Sequence, residues 1–234
     1  MGLKDDLVTE VATIFRSQWT ERDGETVPEA EDLKLGNDVV KMKATVLYAD
    51  LADSTALVDG YKRFFAAEIY KTFLHCAAKI IRDEGGTITA YDGDRIMAIF
   101  IGDPKNTPAV KAAMKINWAM VNIVRPALKT QYPNSNFVPK HVVGIDTSDL
   151  FIARTGVRGA NDLVWVGRAA NYAAKLASLP ESYGTYITSD VYNNMNNEVK
   201  KSNNGAGEHM WQTLTWTEFD RSTIYGSTWS WKIS

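Results

Sequence analysis

The sequence predicts an α+β fold, and three observations lead there. Strand-like and helix-like stretches mix along the chain without regular alternation. A hairpin signal, Asp92-Gly93 between two apolar runs, lies between two long helical stretches. The C-terminal part ends in two strand-like runs rich in Trp, Thr and Tyr.

The first element is an amphipathic helix over 3–19, with Leu7, Val11, Ile14 and Phe15 at helical spacing. Residues 21–37 are polar and acidic and read as a linker. Residues 39–51 form a strand whose core, Ala44-Thr-Val-Leu-Tyr-Ala, is β-branched and apolar, as a buried strand should be. Asp53-Ser54-Thr55 carries the residue types that cap a helix, and a helical stretch over 56–82 follows, with a break near Phe64. Gly85-Gly86 ends it.

The hairpin over 87–100 comes next, with Asp94 just after its turn. A second helix covers 107–128, bent by Pro126. A strand over 140–147 is expected to pair with 149–155. A third helix covers 168–179 and stops at Pro180, a short strand covers 185–187, and Ser189 caps a short helix. The last two strands are expected over 210–219 and 222–233.

Composition excludes several classes. The 234 residues carry 26 Lys+Arg against 28 Asp+Glu, a net charge of −2, which excludes a nucleic-acid binder working through bulk positive charge. Hydrophobic residues at 45% and charged residues at 23% fit a folded chain with a substantial core and not a disordered one. No apolar run approaches the roughly 18 residues that a membrane span needs. The opening Met-Gly-Leu-Lys-Asp-Asp suits neither a secretory signal nor, with Asp6, myristoylation. A single Cys76 fits a reducing cytoplasm, and three scattered histidines make no zinc pattern. A metal here would be a hard ion held by carboxylates.

Two carboxylates suit that role. Asp50 closes the buried strand beside a turn and a helix start, where backbone N–H groups can meet phosphate oxygens. If the hairpin lies next to that strand, Asp94 faces Asp50, and two close carboxylates repel unless a divalent cation lies between them. The alternative readings are a helix cap for Asp50 and a plain turn residue for Asp94.

The motifs are specific in combination. Tyr48-Ala-Asp50-Leu-Ala-Asp-Ser-Thr55 resembles the first metal motif of class III nucleotidyl cyclases. Gly93-Asp94 with Met97-Ala98 resembles the second, 44 residues further on. Gly144-Ile-Asp-Thr resembles the strand entering that family's dimerisation region. Gly167-Arg-Ala-Ala-Asn171-Tyr-Ala-Ala-Lys175 resembles the helix bearing its transition-state residues. The resemblance covers about 42–190 and keeps order and spacing.

It implies a ferredoxin-like α+β sandwich, an antiparallel-rich sheet with flanking helices on one face, in a head-to-tail homodimer with composite sites. Residues 39–234 would be the catalytic domain, and 1–38 an N-terminal helix and linker that pack on the dimer. It also implies attack of the ribose 3′-hydroxyl on the α-phosphorus with release of pyrophosphate. Two ions, Mn²⁺ or Mg²⁺, would be held by Asp50, Asp94 and the carbonyl of Leu51. Backbone N–H groups of Ala52, Asp53, Ser54 and Thr55 would receive the outer phosphates. Asn171 and Lys175, one helical turn apart, would meet the ribose and the α-phosphoryl charge. The family pattern has Arg at position 175, so the planar fork is lost.

The purine-reading positions are vacated, with Ala90 where adenylate cyclases carry Lys and Val164 where they carry Asp. Tyr48 and Arg95 are candidate substrate contacts. Where the family's phosphate-gripping lysine lies in a turn between the final strands, this chain is expected to place Tyr225-Gly226-Ser227. The short chain with its Trp-rich end resembles the pyrimidine cyclases of bacterial anti-phage Pycsar systems. This implies UTP, or CTP, as substrate, and a cyclic UMP product read by a separate effector. A purine cyclase with relocated readers such as Asp162, and a silent nucleotide-binding module, are the alternatives. No nucleic-acid partner and no membrane insertion are expected.

Overall fold

The computed structural model describes residues 2–234. In chain order the elements are α1 (Leu3–Arg16), β1 (Thr20–Asp23), β2 (Asp38–Leu51), α2 (Ser54–Gly60), α3 (Arg63–Asp83), β3 (Thr87–Asp92), β4 (Arg95–Phe100) and α4 (Asn106–Ala119). A π-helical turn over Met120–Val124 leads into α5 (Arg125–Gln131), β5 (His141–Val157), β6 (Ala160–Val166), α6 (Arg168–Ala177), β7 (Thr185–Thr188), α7 (Ser189–Asn194), β8 (Gln212–Trp216) and β9 (Ser222–Ser227).

The chain divides into two compact units. One comprises the described residues up to Lys43 together with Asp149–Gly167. Here β1 runs parallel to the start of β2, with Thr20 opposite Asp38, so the expected linker contains a strand. The second half of β5 forms a hairpin with β6, pairing Phe151 with Val166 and Val157 with Ala160. Arg22 is joined to Asp38 at 2.7 Å, and the Arg154 guanidinium donates to the Leu33 carbonyl and the Asn161 side chain. Helix α1 buries none of its residues, and Leu7, Val11, Ile14 and Phe15 are all exposed.

The other unit, Ala44–Ser148 with Arg168–Ser234, contains the main sheet in the order β3-β4-β2-β5-β7-β9-β8. The pairs β3–β4, β4–β2, β7–β9 and β9–β8 are antiparallel, and β5–β7 is parallel. Strand alternation sorts side chains between two layers. Leu47, Ala49 and Leu51 of β2, Ile96 and Ala98 of β4, and Val143 and Ile145 of β5 join Phe73, Ala77 and Ile81 of α3 and Ala109, Ala113 and Ile116 of α4 in the large core. Val142, Tyr186, Ile224 and Trp216 face the other way and pack with Leu176 of α6. Helices therefore cover both faces, and the one-face expectation is corrected. Helix α6 sits on the opposite side because Gly144 leaves it room: a Cβ there would lie 2.1 Å from the Ala173 carbonyl oxygen and 2.4 Å from the Ala177 nitrogen.

Several local expectations are revised. The helical stretch after Asp53 breaks at Tyr61 and Lys62, between α2 and α3. Gly85, at φ 81°, and Gly86 close α3 by donating to the Arg82 and Ile81 carbonyls. The second helix continues to Gln131, because Pro126 falls in the first turn of α5, where its missing N–H costs little. Residues 149–155 are not a hairpin partner of 140–147. Both belong to the single strand β5, and β6 is the partner, after a turn at Arg158-Gly159. The short helix α7 is entered through Thr188, while the Ser189 hydroxyl donates to the Thr223 carbonyl and caps nothing. Strand β9 ends at Ser227. Beyond it the tail is held by Asn117, which donates to the Thr228 and Trp229 carbonyls, and by the Trp231 N–H, which donates to the Met114 carbonyl.

Candidate active site

The C-terminal end of β2 and the β3–β4 turn meet at one end of the sheet. Leu47, Ala49 and Leu51 point into the α3/α4 core, so Tyr48 and Asp50 point to the opposite face. Across the ladder Tyr48 lies opposite Met97, and Asp50 opposite Arg95, on that same face. Asp92 pairs with Arg95, which leaves Gly93-Asp94 as a two-residue turn. Gly93 has φ 60°, the left-handed conformation that such a turn requires. Asp94 is thus a turn residue itself and does not follow the turn.

Asp50 is mostly buried, its side chain 16% exposed, and it accepts a hydrogen bond of 2.6 Å from an Arg95 terminal nitrogen. Burial pushes the Asp50 carboxyl up, Arg95 pulls it down, and the negative charge of Asp94 pushes it up again. The Asp50 hydrogen bond holds Arg95 firmly protonated against partial burial, helped by Asp94 and Asp92. One Asp94 carboxylate oxygen, Oδ2, is buried without a hydrogen-bond partner among the described residues. An orphaned buried anion beside a second carboxylate is costly unless a cation completes it. This oxygen-only donor set suits a hard divalent ion. Among the described residues no group of three or more His, Cys, Asp or Glu could hold a metal. The remaining ligands would therefore come from the Leu51 carbonyl, water and phosphate oxygens.

The loop after Asp50 is less open than the sequence suggests. The Ala52 N–H already donates to the Lys140 carbonyl at 3.0 Å, so it is not free for a phosphate. Asp53 takes a left-handed conformation, φ 59°, and its carbonyl accepts the Leu57 N–H as α2 begins; its side chain caps nothing. Ser54 is half-buried and Thr55 exposed. Burial raises the Tyr48 hydroxyl pKa, and the nearby Arg95 charge opposes that.

Asn171 and Lys175 lie on the exposed side of α6. The helix start is anchored by Arg168, which donates from Nε to the fully buried Asp146 carboxylate at 3.0 Å and also pairs with Asp190. Asp146 further accepts the Thr188 hydroxyl at 2.5 Å. Burial pushes the Asp146 carboxyl up, and its Thr188 and Arg168 partners oppose that. Lys175 Nζ stands 4.1 Å from the ring centre of Phe219. Among the described residues no hydrogen bond or ion pair links Asn171 or Lys175 to Asp50 or Asp94. The structure brings Tyr48, Asp50, Asp94 and Arg95 together, and places Asn171 and Lys175 on the exposed side of α6.

The final turn lies elsewhere than the sequence suggests. Tyr225-Gly226-Ser227 lies on β9 and not in a turn. The turn between the final strands covers 217–221, with Asp220 at φ 47° and Arg221 at φ 53°, and its Phe219 packs against Tyr172 and Trp216 beneath the Lys175 ammonium. The signal was present in Glu218-Phe-Asp-Arg221, since Asp readily adopts the left-handed turn conformation.

No protein-family model matches the chain. The adenylyl cyclase CyaB from P. aeruginosa superposes with a TM-score of 0.66 at 21% identity, over 83% of this chain and 97% of that one. The guanylyl cyclase Cya2 superposes at 0.64 and 19% identity, over 82% and 94%. The fold is thus that of a class III nucleotidyl cyclase catalytic domain. Sequence relatives narrow the class. The uridylate cyclase of Xanthomonas perforans is 56% identical over the full length of both chains, and that of Burkholderia cepacia 51% identical, again over the full length of both. That of Rhodovulum sp. is 37% identical over 97% of this chain and 96% of its own. The chain belongs to the uridylate cyclase family.

Proposed function

We propose that the protein converts UTP to 3′,5′-cyclic UMP and pyrophosphate, acting as a head-to-tail homodimer in the cytoplasm. The observation that carries the reading is the strand register that sets Asp50 opposite Arg95, beside the Gly93-Asp94 turn, so that the Asp94 charge acts on Asp50 while one buried Asp94 oxygen has no hydrogen-bond partner among the described residues. The full-length likeness to uridylate cyclases supports the choice of base. A free Cys76 thiol accords with a reducing compartment.

Asp50, Asp94 and the Leu51 carbonyl would hold two divalent ions, Mn²⁺ preferred or Mg²⁺, which when bound supply Lewis acidity at the triphosphate and lower the pKa of the 3′-hydroxyl. The chain's own groups do the rest. Asn171 of the partner subunit orients the ribose. Lys175 of the partner subunit neutralises charge growing on the α-phosphoryl oxygens. Neither side chain has an acidic partner among the described residues, so both are free for substrate. Phe219 keeps the Lys175 ammonium close without neutralising it. The backbone at Asp53, Ser54 and Thr55 meets the outer phosphates. Ala52 contributes by fixing the loop to Lys140.

Tyr48 and Arg95 face the nucleotide from the open side of β2 and β4. The Tyr48 hydroxyl makes no hydrogen bond to the described residues, so it is available to a pyrimidine edge. Ala90, paired with Met97 on the neighbouring strand, offers no polar group to a purine. Residues 39–234 carry catalysis. Residues 1–38, with the exposed apolar face of α1, serve dimer assembly. The product is a second messenger for a separate effector in anti-phage defence.

The test is turnover of each of the four nucleoside triphosphates with Mn²⁺. Cyclic UMP as the dominant product is expected. Faster cyclisation of ATP or GTP would sink the reading, and binding without any cyclic product would favour a silent module.

A further inference from the structure

We propose that Arg95 is a built-in counter-cation, which holds Asp50 in the metal-free protein and must be displaced from it by the incoming divalent ion. The inference rests on the reading of Asp50 and Asp94 as the metal pair and adds a competitor to it. Three observations carry it. Arg95 lies directly opposite Asp50 in the ladder and touches one of its oxygens at 2.6 Å. Asp92 and Asp94 flank it, so one guanidinium faces three carboxylates. The contact to Asp50 is single and not a bidentate fork, and Arg95 does not satisfy the buried Asp94 oxygen.

This arrangement solves a problem that a metal site has before its metal arrives. Two neighbouring carboxylates at a half-buried strand end repel, and a protein must fold with them empty. Arg95 neutralises one of them. It cannot stay when a divalent ion joins the same carboxylates, because two cations would then crowd one oxygen where solvent screens them poorly. The side chain is one-third exposed, 32%, so it can swing outward without crossing the core. The triphosphate is the anion then available to it. The two binding events are therefore coupled: the ion frees Arg95 for the nucleotide, and the nucleotide draws Arg95 off Asp50.

The test is Mn²⁺ binding to the full-length protein without nucleotide, read by the loss of the free Mn²⁺ spin-resonance signal. Arg95→Met and Arg95→Gln should each tighten Mn²⁺ binding about tenfold, by removing both a competitor and a positive charge. Arg95→Lys, which keeps the charge, should stay near wild type. Adding Asp50→Asn to Arg95→Met should abolish the gain. Metal-free thermal stability should fall in the neutral variants and recover when Mn²⁺ is added. Unchanged or weaker Mn²⁺ binding in both neutral variants, with Asp50→Asn still weakening it in the wild-type background, overturns the inference and leaves the metal pair standing. Mn²⁺ binding that ignores Asp50→Asn and Asp94→Asn overturns the metal pair as well.

Discussion

Asp50 and Asp94 are coupled electrostatically although they stand 44 positions apart in the chain. Each alone is an ordinary residue, one at a strand end and one in a tight turn. Together they would form the proposed cation site only because β4 pairs with β2 in a register that sets Arg95 against Asp50 and brings the Gly93-Asp94 turn beside it. Asp50→Asn and Asp94→Asn are each expected to lower UTP turnover by on the order of 10³ while leaving the circular dichroism spectrum unchanged. Retained turnover in either variant would refute the assignment.

A second residue-scale effect is independent of catalysis. His141 is buried against Phe73, and burial, with the Arg125 charge, lowers its pKa from 6.5 to about 4. The unfolded chain therefore binds a proton that the folded chain refuses. The stability held above pH 6.5 is lost as the pH falls from 6.5 toward 4, and the loss levels off below that. The full effect is on the order of 3 kcal/mol. His141→Leu should flatten the fall of Tm over that window; an identical slope in the variant would show that other groups govern it.

At the scale of the element, α6 decides where Asn171 and Lys175 are presented. Its seat is Gly144, where the helix backbone passes within 2.1 Å of the position a Cβ would take. Gly144→Ala must push α6 outward. The expected cost is about 1–3 kcal/mol, with a larger loss in kcat than in KM if Asn171 and Lys175 act on the transition state as proposed. A Tm and kcat equal to wild type would show that the helix is not seated there. The helix start is fixed by Arg168 on the buried Asp146. Asp146→Ala should destabilise by about 1–3 kcal/mol, measured by urea unfolding, because it takes the acceptor from the buried Thr188 hydroxyl, while the part-exposed Arg168 keeps Asp190. A loss below about 0.5 kcal/mol would mean that the pair contributes nothing beyond an exposed one.

At the scale of the whole molecule, the proposed composite site has a direct consequence. If the metal acids of one subunit work with Asn171 and Lys175 of the partner subunit, two inactive variants can complement each other. Asp50→Asn and Lys175→Ala mixed in equal amounts give half heterodimers, each with one intact site. Recovery of about a quarter of wild-type activity is expected after subunit exchange. No recovery despite demonstrated exchange would place the whole site in one chain.

Much of this is legible in the sequence. The α+β class, the hairpin at Asp92-Gly93 and the long helices followed from local rules of periodicity and turn chemistry. The four ordered motifs pointed to the cyclase family because their residue types and spacing are tied to one chemistry. What stayed hidden was set by contacts distant in sequence. The continuity of β5 through Ser148 could not be read, since a polar pair inside a strand looks like a turn until a partner strand is seen on each side. The placement of α6 on the face opposite α3 and α4 depends on Gly144 meeting a helix backbone some 30 residues later.

The sequence by itself therefore determined which chemical groups the protein carries and the order in which they come. Only the tertiary structure decided which of them meet. It closed the Ala52 N–H onto Lys140, set Arg95 on Asp50, and moved the final turn to Phe219 and Arg221. The physical reason is range. Helix periods and turn conformations are settled by neighbours a few residues apart, whereas a shared carboxylate or a committed N–H depends on strand register, which the packing of the whole sheet fixes.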